Sequence, residues 1–144
     1  MEPHSILDRR RAGVLLHPTS LPGGLGNGDL GPDAYRFLDF LDTCGATVWQ
    51  TLPVNPTHED GSPYQCTSVH AGNHLLINLD WLVERGWLDQ TAIGGSSEDP
   101  RAMRRDCLRL AFEAFRRRGQ ADSLYSAFGE FVRSNDWWLD DYAL

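Results

Sequence analysis

With 144 residues and a formal charge of −7, the chain has the size of one domain or a piece of a larger one, and its acidity argues against nucleic acid or an anionic membrane as partner. Hydrophobic content of 41% and charged content of 23% are ordinary for a globular protein, and no run approaches the ~18 apolar residues of a membrane span. The N-terminal MEPHSILDRRR lacks an apolar signal core, and Cys44, Cys66 and Cys107 are odd in number and far apart, the pattern of reduced cytoplasmic thiols.

The elements follow in chain order. Residues 12–17, AGVLLH, predict a short buried parallel strand closed by Pro18. A Gly- and Pro-rich loop leads to PDAYRFLDFLDTCG, a helix with Pro32 at its start, an apolar face of Tyr35, Phe37, Leu38 and Leu41, and Gly45 beyond its end. TVWQTLPV (47–54) is β-branched and aromatic, a second strand stopped by Pro53. Strand, helix, strand is one βαβ unit, hence a parallel pair with a right-handed crossover.

After a long loop (55–74) and the apolar run LLINL, Asp80 is the expected cap of a short helix, WLVERG, ending at Gly86. Residues 89–98 read as a linker. Asp99 and Pro100 open a long helix whose stripe is Met103, Cys107, Leu110, Ala111, Ala114 and Phe115, closed by Gly119. SLYSAFGEFVRSN repeats the pattern with Leu124, Tyr125, Phe128, Phe131 and Val132, and Asp136 is the expected cap of WWLDDYAL. Two strands cannot make a stable sheet layer alone, so the expectation is an α/β fragment of a larger protein, against the plainer alternative of a small α/β domain complete at 144 residues.

Four features are candidate sites. GNGDLG (26–31) matches G-x-G-x-x-G, but Asp29 and Asp33 set negative charge where a pyrophosphate would need positive, and no acid ends the second strand; turn chemistry is the expected role of the glycines. Cys66, His70 and His74 form C-x₃-H-x₃-H, a donor set zinc accepts, yet Ala-Gly-Asn between the histidines breaks helical registration, so loop or surface packing is expected. The arginines at 101, 104, 105, 109, 116, 117 and 118 are expected to form a solvated helix face. Tyr64 is the fourth. It lies in HEDGSPYQCTSVHAGNH without periodicity that would bury it, on a loop leaving the C-terminal end of a strand, where functional groups of parallel α/β proteins gather. Flanked by Ser62 and Gln65, its ring offers a flat apolar face with hydrogen-bonding neighbours, which suits a sugar; packing within the loop is the plain alternative.

The segments AGVLLHPTSLPG, GDLG, AYRFLDFL, WQTLPV, SPYQ, AGN, LLINL and WWLDDYAL stand in this order. The sequence resembles the N-terminal part of the amylomaltase family, the 4-alpha-glucanotransferases, over residues 11–88 and again over 137–144; residues 99–134 match in character only. The resemblance implies the first two β/α units of a (β/α)₈ barrel with its rim loops (12–88) and a helical insertion (99–144), together an incomplete barrel. It implies transfer of α-1,4-glucan segments between maltooligosaccharides by a retaining double displacement, without a cofactor. It also implies that the catalytic carboxylates lie beyond residue 144, so the chain alone is expected to be inactive and holds no catalytic residue. Tyr64 resembles the family tyrosine lining the subsites around the cleaved bond, and Ser62 a hydrogen-bond partner of the glucan. Where many members read Gly-Tyr-Gly-Asp before SPYQ, this chain has His58, Glu59, Asp60 and Gly61. Two alternatives stay open on the residues: a non-catalytic glucan-binding module, and a structural piece whose tryptophans dock a partner.

Overall fold

A computed structural model describes residues 10–23, 27–93 and 99–143. Parts of several expected features lie outside these: the N-terminal MEPHSILDR, Gly26 of the glycine motif, and residues 94–98 of the linker.

The chain opens with strand β1 (Gly13–Leu15), followed by helix α1 (Pro32–Thr43) and strand β2 (Val48–Gln50). The two strands pair in parallel, with Gly13 opposite Val48, Val14 opposite Trp49 and Leu15 opposite Gln50. Bonds from Thr47 N to Ala12 O and from Leu16 N to Gln50 O extend the ladder at either end. The indole of Trp49 donates to Leu16 O at 2.7 Å and meets Phe37 of α1 edge-on at 5.1 Å. This fixes the crossover against the sheet.

Gly13 is required here by close approach, since a Cβ would lie 2.6 Å from the Val48 carbonyl oxygen. The expectation of a buried first strand is corrected: Val14 and Leu15 are exposed, Leu15 to 56%. With two strands, the described sheet is covered where Phe37 of α1 meets Trp49 and leaves its outer edges open. For the same reason the expected apolar face of α1 is buried only at Leu41, joined by Ala34, while Tyr35 and Leu38 stay exposed.

The helical half comprises α2 (Leu79–Glu84), α3 (Pro100–Arg118), α4 (Tyr125–Ser134) and α5 (Asp136–Ala143). Its core lies between α2 and α3, where Leu79 and Leu88 pack with Cys107 and Ala111. Trp87 joins α3 to the turn before α4, touching Phe115 edge-on at 5.1 Å and donating its Nε1–H to Asp122 at 2.6 Å. Arg118 donates to the Arg85 and Gly86 carbonyls, satisfying the C-terminal end of α2.

Three further expectations are corrected. Asn78, not Asp80, caps α2, its Oδ1 accepting from Trp81 N. Leu110 is exposed, because α4 covers α3 along the line of Phe115 instead. Asp136 lies inside the first turn of α5, whose opening amides at Trp138 and Leu139 bond to the Asn135 carbonyl. Asp99 caps α3 as the sequence indicates, accepting from Arg101 N and Ala102 N.

Candidate functional site

The loops leaving both strands at their C-terminal ends converge. His17 follows β1, its Nδ1 lying 2.7 Å from Thr19 Oγ1 and its Nε2 3.3 Å from the Pro53 carbonyl beyond β2, so the imidazole ties the two loops together. Between them opens a polar cavity of about 430 Å³, lined by His17, Thr19, Thr57, Asp60, Asn73 and Arg101 among others. A larger apolar groove of about 690 Å³ runs between α3 and α4 and carries few polar groups.

Tyr64 and Ser62 stand beside the polar cavity, not in its lining. Their turn is built locally. Thr57 and Cys66 bridge antiparallel, and the Thr67 amide bonds Pro56 O at 2.8 Å. Inside that bridge Asp60 Oδ1 accepts from Ser62 N, Gly61 takes φ of 72°, and Gln65 N returns to Ser62 O. The Asx turn and the left-handed glycine push residues 62–64 outward. Tyr64 is consequently 75% exposed, its ring presented to solvent. Arg101 of α3 braces the turn by donating to Glu59 O, with its guanidinium against Gly61.

The residues of the second candidate are not brought together. Cys66 sits at the bridge, His70 stacks against Trp137 and Trp138, and His74 faces the apolar groove beside Arg105. Among the described residues no three His, Cys, Asp or Glu side chains form a metal-holding group. Burial, and secondarily the Arg105 charge, holds the His74 imidazole below its ordinary 6.5. The Cys107 thiol is pushed up by burial, with a smaller push from Asp106.

The glycine motif resolves into close packing. A Cβ at Gly28 would strike the Pro18 and Leu21 carbonyls, and one at Gly31 would strike Asn78. Between these glycines Asp29 is buried and fully engaged: its carboxylate accepts from Gly31 N, from Asn78 Nδ2 and from both terminal nitrogens of Arg104 at 3.2 Å. Arg104 also donates to Ile77 O and is only 6% exposed, which corrects its assignment to a solvated face. Arg109, paired with Glu113 at 2.9 Å, and the exposed Arg116 and Arg117 do occupy such a face. Sequence reasoning missed the Asp29–Asn78–Arg104 network, although Arg104 is three residues before Cys107 and seven before Ala111, on the buried stripe.

The family model described as 4-alpha-glucanotransferase matches residues 16–144. The chain is 41% identical over 148 residues to a 4-alpha-glucanotransferase of Synechocystis sp., covering 96% of this chain and 29% of the relative. It is 55% identical over 85 residues to a chloroplastic/amyloplastic 4-alpha-glucanotransferase of Solanum tuberosum, covering 56% of this chain and 15% of the relative. Among solved structures, the amylomaltase of Streptococcus agalactiae in complex with acarbose superposes with a TM-score of 0.78 at 34% identity, covering 90% of this chain and 28% of that one. The chain thus spans less than a third of the length of these relatives.

Proposed function

The chain belongs to the 4-alpha-glucanotransferase family, and from that premise we propose that the protein containing it transfers α-1,4-glucan segments between maltooligosaccharides. In this reading residues 12–88 are the first two β/α units of a (β/α)₈ barrel with their rim loops, and residues 99–144 a helical insertion. A carboxylate attacks the anomeric carbon while a second carboxyl group, ~5–5.5 Å away, protonates the leaving oxygen; an acceptor hydroxyl then replaces water in the second displacement. Neither a metal nor a cofactor takes part. A cytoplasmic setting, supported by the three free thiols, belongs to the same proposal.

The acids themselves come from parts of the barrel outside this chain. Of its own rim carboxylates, Asp29 is held in an ion pair with Arg104 and Asp60 holds its turn. What this chain contributes is a wall for the sugar. Tyr64 stacks on a glucose ring next to the cleaved bond, and Ser62 bonds its hydroxyls. Covering the glycosyl-enzyme in this way excludes water and favours transfer over hydrolysis.

The observation carrying the reading is the outward Tyr64 ring on the loop that leaves β2, in a chain of this family. Two measurements test it. In the full-length protein, Tyr64→Ala lowers disproportionation of maltotriose by about tenfold, equivalent to ~1.4 kcal/mol of transition-state contact; unchanged kinetics remove Tyr64 from the site. The 144-residue chain alone yields no longer oligosaccharides from maltotriose, and their appearance would show that the acids are present after all.

A further inference from the structure

The loop that carries Tyr64 continues into a second cleft. Thr67, Ser68 and His70 from the loop face Trp137, Asp141 and Tyr142 from α5 across a cavity of about 400 Å³, within the usual range of small-ligand sites. Its most exposed aromatic is Trp137, open to 66%. The indole is held in place by the His70 imidazole, which meets it edge-to-face at 4.7 Å and 73°. His70 is itself backed by Trp138, whose Nε1–H is tied to Asn135 at 3.0 Å. A large apolar ring is therefore fixed in orientation yet left in water.

The polar groups around it are placed for hydroxyls. Asp141 follows Trp137 by four residues, one helical turn, so its carboxylate acceptor stands on the same face of α5. Across the cleft Ser68 Oγ accepts from His70 N at 3.2 Å and Ala71 N at 3.1 Å, which leaves its own O–H to donate. A flat apolar face with an acceptor and a donor at its rim matches a pyranose ring, with C–H faces and hydroxyl edges. Among the described residues no arginine lines the cleft, and Asp141 repels anions, so phosphorylated or acidic sugars are disfavoured.

We propose that the His70–Trp137 cleft is a second α-1,4-glucan contact, separate from Tyr64; the choice of α-glucan rests on the function proposed above. His70 is six residues after Tyr64, so their Cα atoms lie within about 20 Å even if the chain between them were fully extended. One maltooligosaccharide of several units can occupy both, the first contact raising the effective concentration at the second.

The test is a titration of the chain with maltohexaose, following the Trp137 indole signal and the Tyr64 ring signals by NMR. A saturable shift of the Trp137 indole is expected, persisting in Tyr64→Ala and about tenfold weaker in Asp141→Asn, which loses a charge-assisted hydrogen bond without changing shape. An unmoved Trp137 indole overturns the second contact; if the Tyr64 ring moves in that experiment, the Tyr64 reading survives alone. If Trp137 shifts while Tyr64 does not, the cleft stands and Tyr64 loses its role. A stronger response to tetramethylammonium than to maltohexaose overturns the ligand class, because the carboxylate and indole would then be reading a cation.

Discussion

Arg104 shows what one buried charge does to the architecture. Its guanidinium joins Asp29 on the loop after β1 to the Ile77 carbonyl before α2, and Asn78, which also caps α2, completes the cluster. Removing one partner of such a pair strands the other charge in a desolvated site at a cost of roughly 3–5 kcal/mol, whereas an apolar pair of similar volume is close to neutral. Urea denaturation should accordingly show Arg104→Leu losing about 3 kcal/mol, with most of it recovered in the Arg104→Leu/Asp29→Leu double variant. A loss below ~1 kcal/mol would mean that water already satisfies the cluster. His74 adds a pH dependence of known sign. Because its native value is held below 6.5 by burial and by Arg105, the native state resists its protonation. The associated stability is intact above pH 6.5, erodes as pH falls past it, and is gone below the lowered native value. Melting temperature should therefore drop on acidification through this window, and His74→Gln should flatten that part of the curve.

At the scale of elements, the turn 58–65 depends on α3 as much as on its own residues. Gly61 holds φ of 72°, and a Cβ there would sit 2.3 Å from the Arg101 guanidinium, which braces Glu59 O. Gly61→Ala should cost about 1–2 kcal/mol for the left-handed conformation alone and should release the Arg101 contact. Chemical denaturation measures the first effect, and altered shifts across residues 58–65 the second; Arg101→Ala should reproduce only the shifts. How far these elements were legible follows from the range of the forces that define them. Pro32, Asp99, Pro100 and Gly119 act within one turn, so α1 and α3 begin and end where their local chemistry indicates. The cap of α2 fell to Asn78 because that side chain is also held by Asp29, 49 residues away. The braces from Arg101 to Glu59 and from Arg104 to Asp29 likewise join residues 42 and 75 apart, and no local pattern encodes such partners. Tyr64 was the reverse case. Its lack of apolar periodicity was itself the signal that the ring would lie outside the core.

For the molecule as a whole, the decisive quantity is apolar surface left open. Val14 and Leu15 on the sheet, Leu38 and Phe40 on α1, and Phe112, Phe128 and Phe131 along the groove are all exposed in the described structure. Soluble monomers rarely expose contiguous apolar patches beyond a few hundred Å², and strand edges without a partner invite pairing with another chain. The core between α2 and α3 is small beside this exposed area, so the open surface governs how the isolated chain behaves in solution. The 144-residue chain should bind a hydrophobic dye in its native state and show sedimentation that rises with protein concentration, even though its charge of −7 opposes association. Added salt should strengthen the association by screening that charge. Introducing Leu15→Lys on the sheet should reduce association without unfolding the helical half, because Leu15 is 56% exposed and belongs to no part of the α2–α3 core. A chain that sediments as a monomer at every concentration and leaves the dye unbound would show that these faces are closed in solution.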